Sequence, residues 1–225
     1  MKTLFNNNLY PITSHFAFIK ANIDDIKNRF IEWQNPLVSE ANNKLQIKHL
    51  KLNLKDTLLS LCPLTSVEKR RYLLIPTSSE WVCFLDNGHT GTDRTAPEVI
   101  SKSLNCESAF IVYDDFTKST LLDVFKIVNG NVDLVRSIYA IKDSKWEFEI
   151  YGDIQDFENP EYYKARQIKD RFNMNILNEY LEKLDIHVFD ENFYNSTESI
   201  FFEKKGKMFD LTQELSLKQA QNFFK

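Results

Sequence analysis

The sequence predicts an α+β fold: a mainly antiparallel sheet packed by helices, with a helical C-terminal portion. Three observations carry this. Residues 120–151 read as three successive strands with turn residues between them, residues 22–33 and 161–184 show apolar positions at helical spacing, and apolar runs of strand length lie between them. Five Gly and six Pro in 225 residues leave regular elements dominant, and so few glycines argue against a glycine-rich nucleotide-binding architecture.

Taken in order, His15 to Lys20 has the composition of a strand, and Asn22 or Asp24 is placed to cap a helix whose apolar positions are Ile23, Ile26, Phe30 and Trp33. Asn35 and Pro36 are expected to stop that helix, because proline lacks the N–H that the next turn needs. Leu45, Ile47 and Leu50 to Leu54 indicate a second strand, followed by a short helical piece around Asp56 to Leu61 that Pro63 ends. Arg71 to Ile75 and Trp81 to Leu85 are apolar runs joined by a turn at Pro76 and a Ser/Thr cluster. Thr95 and Glu98 have capping-box spacing ahead of a helix through Leu104, with Pro97 tolerated in its first turn, and Ala109 to Tyr113 is the next strand.

The strands Leu121 to Val128, Val132 to Ile141 and Trp146 to Tyr151 form an expected meander. In the last, Trp146, Phe148 and Ile150 alternate with Glu147 and Glu149, which predicts a buried face and a wet one, with Trp81 also buried. Composition changes at Asp156 to Pro160. Residues 1–155 are therefore read as an α+β core domain and 156–225 as a mostly helical portion packed on the same core, with a helix over Glu161 to Leu184, a strand at Ile200 to Glu203 and a closing helix from Leu215 to Phe224.

Composition narrows the function classes. Twenty-eight Lys and Arg against 32 Asp and Glu give a net charge of −4, which recommends neither nucleic acid nor an anionic membrane as partner and mildly favours a basic protein surface. Lys204, Lys205 and Lys207 are too short a basic run to change this. Cys62, Cys83 and Cys106 are odd in number and widely spaced, offering no disulfide framework and no zinc site, and Cys83 reads as a buried thiol in an apolar strand. With no apolar run of about 18 residues and no signal-peptide pattern, a cytoplasmic location is expected.

One segment is dense in groups that sites use: Asp86, Asn87, His89, Thr92 and Asp93, with two of the five glycines, between a strand and a helix start. A loop entering a helix N-terminus can hold an anion, and His89 beside Asp86 or Asp93 has acid–base potential for a hydrolase or nucleotide-processing enzyme. Ordinary turn and cap chemistry accounts for the same residues. Asp114 and Asp115, with Asp123 and Asp86, could complete an oxygen-rich Mg²⁺ site, but nothing in the spacing requires it, and paired acids at a strand end are more often a solvated turn. His15, His49, His89 and His187 lack any metal-binding spacing, and neither GxGxxG nor GxxxxGK[ST] nor GxSxG occurs. No cofactor is therefore expected. The C-terminal rings Tyr162, Tyr163, Phe189, Phe193, Tyr194, Phe201 and Phe202 are mixed with acids that include Glu161, Asp190, Glu191 and Glu198, a mixture suited to a protein-binding rim as well as to a core.

The run Glu80-Trp81-Val82-Cys83-Phe84-Leu85-Asp86-Asn87-Gly88-His89-Thr90-Gly91-Thr92-Asp93, with the helix after it and the strand Cys106 to Val112, resembles a pattern in uncharacterised bacterial proteins. Some of these are similar to immunity proteins of polymorphic or type VI toxin systems. The resemblance covers residues 80–112 and implies binding of a protein partner, such as a bacterial toxin, with no catalytic role attached to any residue. The expectation is a protein-binding module using Asp86, Asn87, His89, Thr92, Asp93, Asp190 and Glu191, with the enzyme as the alternative.

Overall fold

A computed structural model describes residues 2–223. In chain order the elements are β1 (His15–Ile19), α1 (Ile23–Glu40), β2 (Lys44–Leu50), α2 (Leu54–Leu59), β3 (Leu64–Thr65), β4 (Arg71–Pro76), β5 (Val82–Asp86), α3 (Thr95–Leu104), β6 (Ser108–Asp114), β7 (Ser119–Val128), β8 (Asn131–Lys142), β9 (Trp146–Tyr151), α4 (Met174–Lys183), β10 (Ser199–Lys205), β11 (Glu214–Leu215) and α5 (Leu217–Asn222). Nine strands form one sheet in the order β2-β10-β4-β5-β1-β6-β7-β8-β9, every neighbouring pair antiparallel. The fold is α+β with a mainly antiparallel sheet.

The sheet is the middle of three layers. In β1, Phe16 and Phe18 point to one face while Ala17 and Ile19 point to the other, as the two-residue period of a strand requires. On the second face Ile26 and Phe30 of α1 and Ile100 of α3 pack on Leu74, Phe84, Phe110 and Phe202. On the first face Leu58 of α2 and Leu177, Tyr180 and Leu181 of α4 pack among Leu73, Leu85, Ile111 and Ile138. The central strands are buried on both faces, which is why β4 and β5 read as continuous apolar runs rather than as alternating ones.

Several local expectations are corrected. Helix α1 does not stop at Asn35 and Pro36 but runs on to Glu40, because Val38 lies one turn beyond Gln34 on the buried side of the helix and holds the last turn down at the loss of a single N–H donor. Left-handed Asn42 then turns the chain into β2. The helix over 161–184 is broken into two 3₁₀ turns at 160–164 and 168–170 before α4 begins at Met174, where Asn173 caps it by accepting from the N–H groups of Asn175 and Ile176. The Thr95/Glu98 capping box does not form: Asp93 accepts from Thr95 N–H at 2.7 Å, and Glu98 turns to Lys102. Helix α5 has a true capping box, Ser216 with Gln219, and ends at Asn222; Phe224 lies outside the described residues.

Trp81 is buried at 5% exposure and its indole N–H donates to the Leu184 carbonyl at 2.9 Å. Trp146 and Phe148 are only half-buried and Ile150 is 46% exposed, contrary to the expectation of a buried face. The reason is position: β9 is the last strand of the sheet order, and its apolar side is covered only in part by residues 160–171, through Tyr163 and Arg171 against the Phe148 ring. Residues 156–225 carry α4, α5 and the short turns, and also β10, which lies between β2 and β4. A buried ion pair, Arg136 with Glu158 at 2.6 Å, ties β8 to the segment after β9, the two side chains being 1% and 0% exposed. Tyr163 donates to the same Glu158 carboxylate, and Arg136 also donates to the Gly152 carbonyl.

Candidate functional site

The loop after β5 is held by its own side chains. Asp86, 3% exposed, accepts from the N–H of Gly88 at 2.8 Å through one oxygen and from the N–H of Asp93 at 2.9 Å through the other. Asn87 is likewise buried: its Oδ1 accepts from the N–H groups of Arg70 and Arg71, and its Nδ2 donates to the Pro63 carbonyl. Thr92 Oγ1 accepts from Asp86 N–H. Gly91, at φ +103°, lies directly on the ring of His15, where a Cβ would overlap the imidazole. Asp86, Asn87 and Thr92 thus hold the loop together and are buried, while Asp93 faces solvent and His89 is half-buried with its ring 5.6 Å from that of Phe223.

The acids do not assemble into a metal site. Asp114 accepts from Tyr10 O–H and from the N–H groups of Phe116 and Thr117, Asp115 accepts from Asn7 and Tyr113, and Asp123 is taken by Arg94 at 2.6 Å. Among the described residues no group of three or more His, Cys, Asp or Glu side chains is placed to hold a metal ion. The three cysteines are free, and Cys83 is fully buried, which pushes its thiol pKa far above the ordinary value.

Asp190 and Glu191 lie elsewhere. Asp190 accepts from Asn192 N–H and both acids are exposed, while Phe193 and Tyr194 beside them are buried. Backbone bonds from Ser78 N–H to the Phe193 carbonyl and from Asn195 N–H to the Pro76 carbonyl put this stretch at the turn between β4 and β5. The two candidate stretches therefore sit at opposite ends of β5. Phe193, Tyr194, Phe201 and Phe202 fill the interior, Tyr162, Tyr163 and Phe189 are half-buried, and the acids Glu161, Asp190, Glu191 and Glu198 face water.

Asp86 and Asp93 do share one concavity, a cleft of about 270 Å³ where the inward positions of the sheet change from apolar to polar. Asp86 follows Phe84 on the α1-facing side of β5, and Lys204 follows Phe202 on β10, each two residues along its strand. Trp33, Gln34 and Leu37 of α1 form one wall, and Lys69, Tyr72, Thr95 and Ala96 complete the lining. His89 is not part of it. Burial raises the Asp86 carboxyl to about 6, against the pull of its two N–H donors. Burial also lowers the Lys204 ammonium below its ordinary value, and that group lies 5.5 Å from the centre of the Tyr72 ring.

Gln34, Lys69 and Tyr72 are not among the residues that composition singles out, and Lys204 enters there only as part of a short basic run, although one signal was present. Ile26, Phe30, Gln34 and Val38 recur every four residues, so an amide interrupts the buried stripe of α1. No helix among the described residues is long and apolar enough to cross a membrane. Comparison with protein-family models, with curated proteins and with solved structures finds no match to this chain.

Proposed function

We propose that this chain is a protein-binding module, of the immunity-protein kind that neutralises a toxin by direct contact, and that the outer edge of β9 is the surface it uses. One observation carries the reading: β9 ends the sheet, paired on one side only, and the exposed residues of the strand itself are Glu147, Glu149, Ile150 and Tyr151, acidic and apolar together, with Lys142 and Lys145 only at its start. An open edge offers a row of N–H and C=O groups to an added strand. Glu147, Glu149, Asp153 and Asp156 surround it, with Ile150, Tyr151 and Ile154 exposed among them. The opposite edge, β2, carries Lys44 and Lys48, the common device against unwanted pairing; β9 has no lysine after Lys145. A basic, extended segment of a partner fits the β9 edge, and a toxin as that partner is part of the proposal, named from the pattern of residues 80–112 that resembles immunity-like proteins.

The test is co-expression with the product of the adjacent gene, followed by purification of the pair and a growth-rescue assay. The reading expects a stable complex and protection. Replacing Glu147 and Glu149 by Lys should weaken the complex at least tenfold or so and flatten its salt dependence while leaving the melting temperature in place, because both side chains are exposed. Replacing Asp190 and Glu191 by Lys should do less. No complex and no protection, or a complex indifferent to the β9 charges, overturns the proposal.

A further inference from the structure

The cleft beside Asp86 is lined by a buried amide that no described residue hydrogen-bonds. Gln34 is 1% exposed and lines the cleft, yet its Oε1 is buried without a hydrogen-bond partner and its Nε2 donates to no described residue. An amide unpaired at both ends can turn its oxygen or its N–H toward a ligand without giving up a bond made within the chain. Buried amides are nearly always paired, so a ligand is the simplest completion. Lys69 and Lys204 line the same cleft, and neither ammonium forms an ion pair with a described residue. The stem of Lys69 runs over Gly88, where an added Cβ would come within 3.1 Å of Cε, so its course is set by the loop.

The charged lining consists of two lysines, Lys69 and Lys204, and two aspartates, Asp86 and Asp93. A ligand that carries one charge of each sign leaves this balance undisturbed, whereas a simple anion would meet the aspartates and a simple cation the lysines. Trp33, Leu37, Tyr72 and Ala96 supply apolar contact. The volume, about 270 Å³, lies at the lower end of ligand cavities and suits a metabolite-sized molecule. We propose that this cleft binds a free α-amino acid with an apolar side chain, its carboxylate between Lys69 and Lys204, its ammonium toward Asp93 and the turned Gln34 amide, and its side chain against Trp33 and Leu37. The inference is independent of the β9 surface.

Titration calorimetry with L-leucine and L-phenylalanine tests it, with N-acetyl-leucine, leucinamide, acetate and inorganic phosphate as probes of each charge alone. Saturable binding of an amino acid is expected, with at least about tenfold loss when either charge is removed from the ligand. Lys69→Met with Lys204→Met should abolish binding in a protein whose melting transition is intact, and Gln34→Leu should weaken it. Trp33 fluorescence should respond to ligand in the natural chain and not in Trp33→Phe. Phosphate or acetate binding as well as the amino acid would make this a plain anion site and overturn the proposal. So would the absence of saturable amino-acid binding at millimolar concentration, or unchanged affinity in the double lysine variant.

Discussion

Replacing His15 by Gln should change how stability depends on pH, and the size of the change follows from where the ring lies. His15 is largely buried beneath Gly91, with Nδ1 2.8 Å from Ser14 Oγ, and burial lowers its pKa from 6.5 to about 4, Asp114 opposing in part. Above pH 6.5 the ring is neutral folded and unfolded, and contributes no slope. Below it the unfolded chain takes up a proton that the folded chain refuses, so stability falls on acidification by about 1.4 kcal/mol per pH unit, reaching about 3 kcal/mol near pH 4. Asp86 acts in the opposite sense. Its carboxyl is raised from 3.8 to about 6, so between those values the folded state holds the proton more tightly and acidification adds stability, again about 3 kcal/mol in all. The two slopes nearly cancel between pH 6 and pH 4. Urea unfolding at pH 7.5, 6, 5 and 4 should show the His15→Gln variant gaining on the natural chain at each step down, and Asp86→Asn falling away from it. Parallel curves for the natural chain and His15→Gln would refute the reasoning.

Three further outcomes are expected from thermal and urea unfolding. Gly91→Ala should destabilise by at least about 2 kcal/mol, because the φ of +103° is strained for any side chain and the new Cβ meets the His15 ring; a neutral result would mean that the loop moves freely. Arg136→Met should lower stability by about 3–5 kcal/mol by leaving Glu158 buried and uncompensated, and replacing both partners with apolar residues should recover most of the loss; an equal loss in the double variant would point to packing instead of charge. Trp81→Ala should cost about 3–5 kcal/mol and Trp146→Ala clearly less, under about 2 kcal/mol, since only the first ring is fully enclosed; equal costs would contradict the half-open β9 face.

The meander was legible because each of its strands is local: Asn129-Gly130-Asn131 and Lys142 to Ser144 mark turns whatever the rest of the chain does. The same reading overestimated burial at Trp146, Phe148 and Ile150, since alternation tells which residues share a face and not whether anything covers that face. Pro36 misled for a related reason: the cost of a missing N–H is local, whereas the burial of Val38 that outweighs it is tertiary. In the loop, Asp86 and Asn87 were conspicuous for their chemistry; Asp86 is occupied locally by Gly88 and Asp93, whereas the partners of Asn87, Arg70, Arg71 and Pro63, are brought to it by the pairing of β4 with β5 and the course of the chain near β3. Lys204 is more than 130 residues from Lys69 and Tyr72 in the sequence and meets them only because β10 lies beside β4.

The place of β10 has a consequence for how the molecule is made. Translation delivers β2 and β4 early and their shared neighbour about 120 residues later, measured from the end of β4 at Pro76 to the start of β10 at Ser199. A sheet lacking only β10 would have an apolar slot flanked by Leu73 and Leu74 on one side, the place that Ile200, Phe201 and Phe202 fill in the finished fold. A ribosome that stalls, or a protease that cuts, before residue 199 leaves two unprotected strand borders and a cleft without Lys204. Chaperone capture of nascent chains should therefore end when residues 199–205 clear the exit tunnel, and not when the earlier meander has folded.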